Sequence, residues 1–206
     1  MRFFPPASIL LGLAAAPWCV CAPRYPAQPL AVAVHNYAGV PRSVLAPAIE
    51  IARRAFHSAG VESQWTLCPP GNCELTENLR DSAPFVELFV MPTLITPPPG
   101  ASDRRPAGYA MAGPFPHPRA YAFYDVARSA ADRTLRPLSL VLGCILIHET
   151  GHLFGLTHQR HGAMRSNLDG VDMDNAVRGW AFSSEERKVL REAIGRVQAV
   201  RTMARR

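Results

Sequence analysis

His148-Glu-Thr-Gly-His-Leu-Phe-Gly-Leu-Thr-His158 is the stretch that decides how this chain is read. Two histidines four residues apart on a helix project from one face, because four residues make just over one turn. Their imidazoles can therefore converge on one metal ion, and the chemistry of such a pair suits zinc. Glu149, beside the first ligand, can then reach a water at the metal rather than the metal itself. Gly155 tolerates the left-handed conformation that ends a helix. The chain can turn there and bring His158 back as a third ligand. Three protein ligands leave a fourth position open, as in a catalytic rather than a structural site.

The segment before it, from Pro137 to about Gly155, is apolar nearly all round and is expected as a helix through the centre of the domain. Two histidines and a glutamate in such a helix would be costly without partners, which argues against satisfied core residues. His161 lies near His158 and is read as an exposed neighbour. His35, His57 and His117 have no ligand spacing and are read as structural or surface residues.

The extended string, with Gly155 and His158 at fixed offsets, resembles the metzincin clan of zinc peptidases, whose pattern is HExxHxxGxxH followed by a Met-turn. Gly162-Ala163-Met164 is similar to that turn. The resemblance, matrixin-like in outline, is specific over about Ile147 to Met164 and topological elsewhere. It implies His148, His152 and His158 as ligands of one catalytic Zn2+, Glu149 as general base, and Met164 as an apolar floor beneath the histidines. It also implies a peptide or protein substrate lying along a strand above the cleft, with Val86–Leu94 and Ala120–Val126 both open for that part. Two departures stand out. The interval from His158 to Met164 is short for the clan, and Arg165 follows Met164 where some members carry a tyrosine.

Working outward, 206 residues suit one compact domain. Met1 to Ala16 reads as an export signal: Arg2 supplies the positive start, and Ala7 to Ala16 is an apolar stretch too short to span a bilayer. The rival is a buried N-terminal strand or helix. The expected division is a signal over 1–22, ending somewhere in 16–27, and a catalytic domain over 28–206. Cys19 has no lipobox before it, and Pro17–Arg24 matches the matrixin cysteine switch poorly. The product would be secreted, periplasmic or surface-held, with no transmembrane segment, and is expected as a monomer.

Cys68-Pro-Pro-Gly-Asn-Cys73 suggests a disulfide-closed loop, since a Pro-Gly turn brings its ends together. Metal ligation is the alternative, but no second cysteine pair lies downstream. Cys144, in an apolar run, reads as a core thiol rather than a nucleophile. The net charge of +6 is almost all arginine and culminates in the stretch from Arg187 to Arg206. Leu190, Ile194, Val197 and Val200 recur there at helical spacing, so a solvated helix face is preferred to a nucleic-acid or anionic-surface site. Asp169, Asp172 and Asp174 suggest calcium, but their spacing is not that of an EF-hand, and a solvated loop bordering the cleft is expected.

The remaining elements complete an α+β domain: a mixed twisted sheet packed on the central helix, with two or three helices in all. Strands are expected at Leu30–His35, Val61–Leu67, Val86–Leu94 and Ala120–Val126. A helix is expected from Pro41 to about Ala59, with Leu45, Ile49, Ile51, Ala52 and Phe56 inward. Another starts near Ser183, where Ser183 and Glu186 fit a capping box. Pro97 to Pro118 reads as a long functional loop. The implied activity is zinc-dependent endopeptidase. The alternative is a catalytically silent zinc-containing binding or surface-interaction module.

Overall fold

A computed structural model describes residues 30–69, 73, 84–93, 106–111, 117–167 and 169–204, with side chains at 201, 202 and 204 left undescribed. The expected export segment, the interior of the cysteine loop and much of the 97–118 stretch lie outside these residues.

Leu30–Asn36 forms strand β1, and alternate residues bury both its faces. Leu30, Val32 and Val34 join the main core, while Ala31 and Ala33 pack with Phe85, Cys68 and Cys73 on the other side. Burial on both faces explains why the strand reads as an unbroken apolar run. Helix α1 (Arg42–Ser58) follows, then β2 (Ser63–Cys68) and β3 (Phe85–Met91). β1 pairs in parallel with both β2 and β3.

Two expectations fail in the next stretch. The loop from Pro97 to Pro118 contains a strand, β4 (Gly108–Met111). The strand expected over Ala120–Val126 is β5 (Arg119–Phe123), and the chain turns helical at Tyr124 to form α2 (Tyr124–Thr134). Asp125 stabilises this start by accepting the Val126 N–H at 2.8 Å and the Thr93 hydroxyl at 2.7 Å. The sheet order is β2-β1-β3-β5-β4, with β4 antiparallel to β5 and the other pairs parallel. Rings of His35, Phe89, Tyr121 and Tyr109 stack from strand to strand across one face, with centroids 4.6–5.1 Å apart. This ladder ties β4 to the rest of the sheet.

Helix α3 (Leu138–Leu153) is buried continuously from Leu140 to Gly151, as its all-round apolar sequence requires. It packs on α1, where Ala48 and Ile51 meet Gly143. A methyl group at Gly143 would come within 3.0 Å of the Ala48 carbonyl, so the small residues set the helix separation. Helices α4 (Gly170–Val177) and α5 (Ser184–Ala204) finish the domain, making five helices among the described residues.

Helix α4 corrects the expected solvated loop. Asp169 and Asp172 form a reciprocal capping box, and Asp172 is buried. Arginines neutralise the cluster: Arg165 pairs with Asp169 and Asp172, and Arg136 pairs with Asp174 at 2.9 Å. The capping box of α5 forms as expected, with Glu186 accepting the Ser183 N–H at 2.6 Å. Leu190 and Ile194 are buried, whereas Val197 and Val200 face outward. Cys68 and Cys73 are joined as a disulfide, and Cys144 is a buried free thiol.

Candidate active site

The C-terminal turn of α3 carries His148, Glu149 and His152. The helix ends because Gly155 takes a φ of +85°, a conformation that a side chain would strain. The Leu156 and Gly155 N–H groups close the turn on the Gly151 and His152 carbonyls. The chain then doubles back, and His158, although exposed, rejoins the other two histidines. One nitrogen of each imidazole lies within 4.8 Å of the others.

The ring orientations make this cluster specific. His148 Nδ1 lies 2.7 Å from the Ala163 carbonyl, and His152 Nδ1 lies 2.7 Å from the Leu156 carbonyl. A carbonyl accepts only, so each Nδ1 carries its ring's proton and each Nε2 presents a lone pair. His148 Nε2 sits 3.0 Å from His152 Nε2 and 3.3 Å from His158 Nε2. Bare lone pairs facing one another at these distances repel. A tetrahedral zinc with Zn–N bonds of 2.0–2.1 Å requires its nitrogens about 3.3 Å apart. The donor set therefore fits zinc in both chemistry and spacing. Burial pushes the His148 imidazole down to about 4, opposed by its bond to Ala163 and helped by its histidine neighbours. Burial also lowers His152. Both rings are thus neutral at pH 7, the form that ligates metal.

Glu149 is buried, and burial pushes its carboxyl up to about 8. The edge strand β4 roofs it: a methyl group at Gly108 would fall 2.6 Å from Glu149 Cγ. Gly108 and β4 belong to the site and were missed in the sequence, since a short strand among prolines and glycines gives little alternation. The two strands considered for the rim of the cleft are both internal. β3 lies between β1 and β5, and β5 lies between β3 and β4, so neither has a free edge there.

Met164 is fully buried beneath α3, with its sulfur 2.7 Å from where a methyl group at Gly151 would stand. The short interval before it is closed by backbone. Gln159 donates to the Met164 carbonyl at 2.9 Å, and Gln159 and Arg165 form an isolated bridge. Gly162, at a φ of +81°, starts the turn. Arg165, where a tyrosine stands in some clan members, points to Asp169 and Asp172. His161 is exposed and outside the histidine group. His35 stacks on Phe89, His117 meets Phe85 edge-on, and His57 pairs with Glu62 at the surface.

No protein-family model matches the chain, and no curated protein matches it in sequence. Solved structures do match. A zinc-dependent peptidase from Methanocorpusculum labreanum aligns with a TM-score of 0.50 at 16% identity, over 77% of this chain and 99% of that one. An archaemetzincin from Methanopyrus kandleri aligns with a TM-score of 0.53 at 13% identity, over 81% and 96%. The single α+β domain, with its five-stranded mixed sheet, shares its fold with these two proteins.

Proposed function

We propose that this chain is an exported zinc-dependent endopeptidase. Its single Zn2+ would be held by His148, His152 and His158, with Glu149 as general base. The observation that carries the reading is the convergence of the Nε2 atoms of the three histidines, with the Nδ1 atoms of His148 and His152 anchored on backbone carbonyls. The fold shared with a zinc-dependent peptidase and an archaemetzincin supports it. The clan assignment, matrixin-like in outline, belongs to the same proposal. Its support is the string from His148 to His158, the turn at Gly155 and the buried Met164.

When bound, zinc supplies Lewis acidity toward a scissile carbonyl and makes water a stronger nucleophile at neutral pH. The chain's own residues handle the protons. Glu149 would accept a proton from the attacking water and return it to the leaving amine in one turnover, and the burial that raises its carboxyl favours holding the proton between those two steps. Among the described residues no strand pairs with the outer side of β4, so its main-chain groups can take an extended peptide by strand addition and fix the scissile bond. Gly155 and Met164 act structurally, the first by turning the chain and the second by supporting the helix. Calcium has no part in the reading.

Export, removal of residues 1–22 and a working domain over 28–206 are part of the proposal, as is a monomeric state. The Cys68–Cys73 disulfide supports an oxidising compartment. No described helix is long and apolar enough to cross a membrane.

Zinc content and hydrolysis of casein or gelatin, measured beside Glu149→Ala, test the reading. Stoichiometric zinc is expected in both proteins, with chelator-sensitive cleavage reduced at least ~100-fold in the variant. Zinc without cleavage across a peptide library would leave the silent binding module. A folded protein that takes up no zinc would end the proposal.

A further inference from the structure

Asp172 is more than the third residue of a capping box. Its side chain is only 5% exposed. Burying a charge costs several kcal/mol unless it is well paired, a cost that capping an eight-residue surface helix does not require. One oxygen, Oδ1, accepts the Gly162 N–H at 2.8 Å, across ten residues of chain. The other, Oδ2, receives Arg165 Nη1 at 3.3 Å and the Asp169 N–H at 3.4 Å. One carboxylate therefore grips the chain on both sides of Ala163-Met164.

What lies between those grips is the partner of a histidine. The Ala163 carbonyl receives His148 Nδ1, and the Ala163 N–H donates to the Ala181 carbonyl at 2.8 Å. The residue that orients His148 thus has its own N–H fixed on the Ala181 carbonyl and its predecessor's N–H fixed on Asp172. We infer that Asp172 is a positioning residue for His148, acting through Gly162 and the Ala163 carbonyl to hold the imidazole with Nε2 aimed at its two partners. The inference rests on the reading of the three histidines as metal ligands. Groups that orient a ligand in this way are worth about 10–100-fold in metal affinity.

The test measures zinc affinity of the full chain by chelator competition at one fixed pH, together with hydrogen exchange of segment 159–165 in the metal-free protein. Asp172→Ala is expected to weaken zinc binding at least 10-fold and to speed exchange in that segment. Asp172→Asn keeps an oxygen for the Gly162 N–H and is expected to stay within about threefold of the parent, even where its melting temperature falls. Asp174→Asn, which loses the Arg136 pair on the same helix, controls for simple destabilisation and should bind zinc as the parent does. Should Asp172→Ala fail to fold, Asp172→Glu replaces it, with the same loss expected because the carboxylate is displaced by one methylene.

Parent-like affinity in the folded Ala or Glu variant overturns the inference, as does a loss in Asp172→Asn equal to theirs or an equal loss in Asp174→Asn. These results leave the metal reading intact, because the parent still binds zinc. A parent that binds no zinc overturns both.

Discussion

Gly108 on the edge strand and Glu149 on the central helix approach so closely that a single methyl group between them would stand 2.6 Å from Glu149 Cγ. The same methyl would also collide with the Tyr121 carbonyl behind it. Gly108→Ala must therefore shift either β4 or the carboxylate. Misplacing a reacting group by 1 Å costs about 100-fold. Cleavage is expected to fall at least ~10-fold while zinc content stays at the parent level. Unchanged turnover in this variant would show that the strand and the carboxylate have room to separate.

Gly151 and Met164 form a second tight pair, two residues further along α3. Alanine is normally the better helix former by about 1 kcal/mol. Here a methyl at 151 meets the buried Met164 sulfur at 2.7 Å and Leu156 Cδ1 at 3.3 Å. Overpacking of this kind costs about 1–3 kcal/mol, so Gly151→Ala is expected to destabilise. Combining it with Met164→Ala should recover part of the loss, giving a coupling of at least ~0.5 kcal/mol in urea unfolding. Strict additivity would mean that the sulfur swings aside freely.

Cys144 gives the protein an alkaline limit. Burial, helped by the charge of Asp172, pushes its thiol from 9.0 up to about 12. The folded chain holds this proton more tightly than the unfolded chain does. The contribution to stability is therefore complete below pH 9 and is lost as pH climbs towards 12. The steepest loss is about 1.4 kcal/mol per pH unit. Denaturant midpoints should fall more steeply with pH between 9 and 11 in the parent than in Cys144→Ala. The thiol should also resist aromatic disulfide reagents at pH 8 until the chain unfolds. Parallel slopes for the two proteins would refute the assignment.

Zinc removal tests the triad without reference to catalysis. A ligand that binds only the folded state, held 1,000-fold above its Kd, stabilises by about 4 kcal/mol. In a domain of this size that raises the melting temperature by about 10 °C. Chelation should reverse the gain, and His152→Ala should show little of it. A melting temperature indifferent to zinc and chelator would count against ligation by this group.

The reach of the sequence followed the range of the interactions involved. The histidine string was legible because its geometry is local: helix pitch sets His148 against His152, and one glycine sets the turn to His158. The α3 core helix, β1 and the Ser183 cap were legible for the same reason. β4 was not, since four residues on a sheet edge need satisfy only one neighbouring strand, and Gly108-Tyr-Ala-Met hides among prolines and glycines. The alternation of Ala120–Phe123 runs on into Tyr124, so the switch to helix at that residue left no break in pattern. The Asp169–Asp172 box could have been found from its three-residue spacing. The burial of Asp172 could not, because its partners at Gly162 and Arg165 meet it only after the chain has folded over α3.

The short β4 also bears on self-association. An unpaired strand edge welcomes any extended chain, its own copies included. Four residues at about 3.3 Å each give a rail of only ~13 Å. A second molecule docking there by backbone alone would gain a few hydrogen bonds, too few to repay the loss of its freedom. A peptide with side chains seated in the neighbouring cleft would gain more. Among the described residues, the outer edge of the sheet is thus too brief to template fibrous self-assembly through backbone pairing alone.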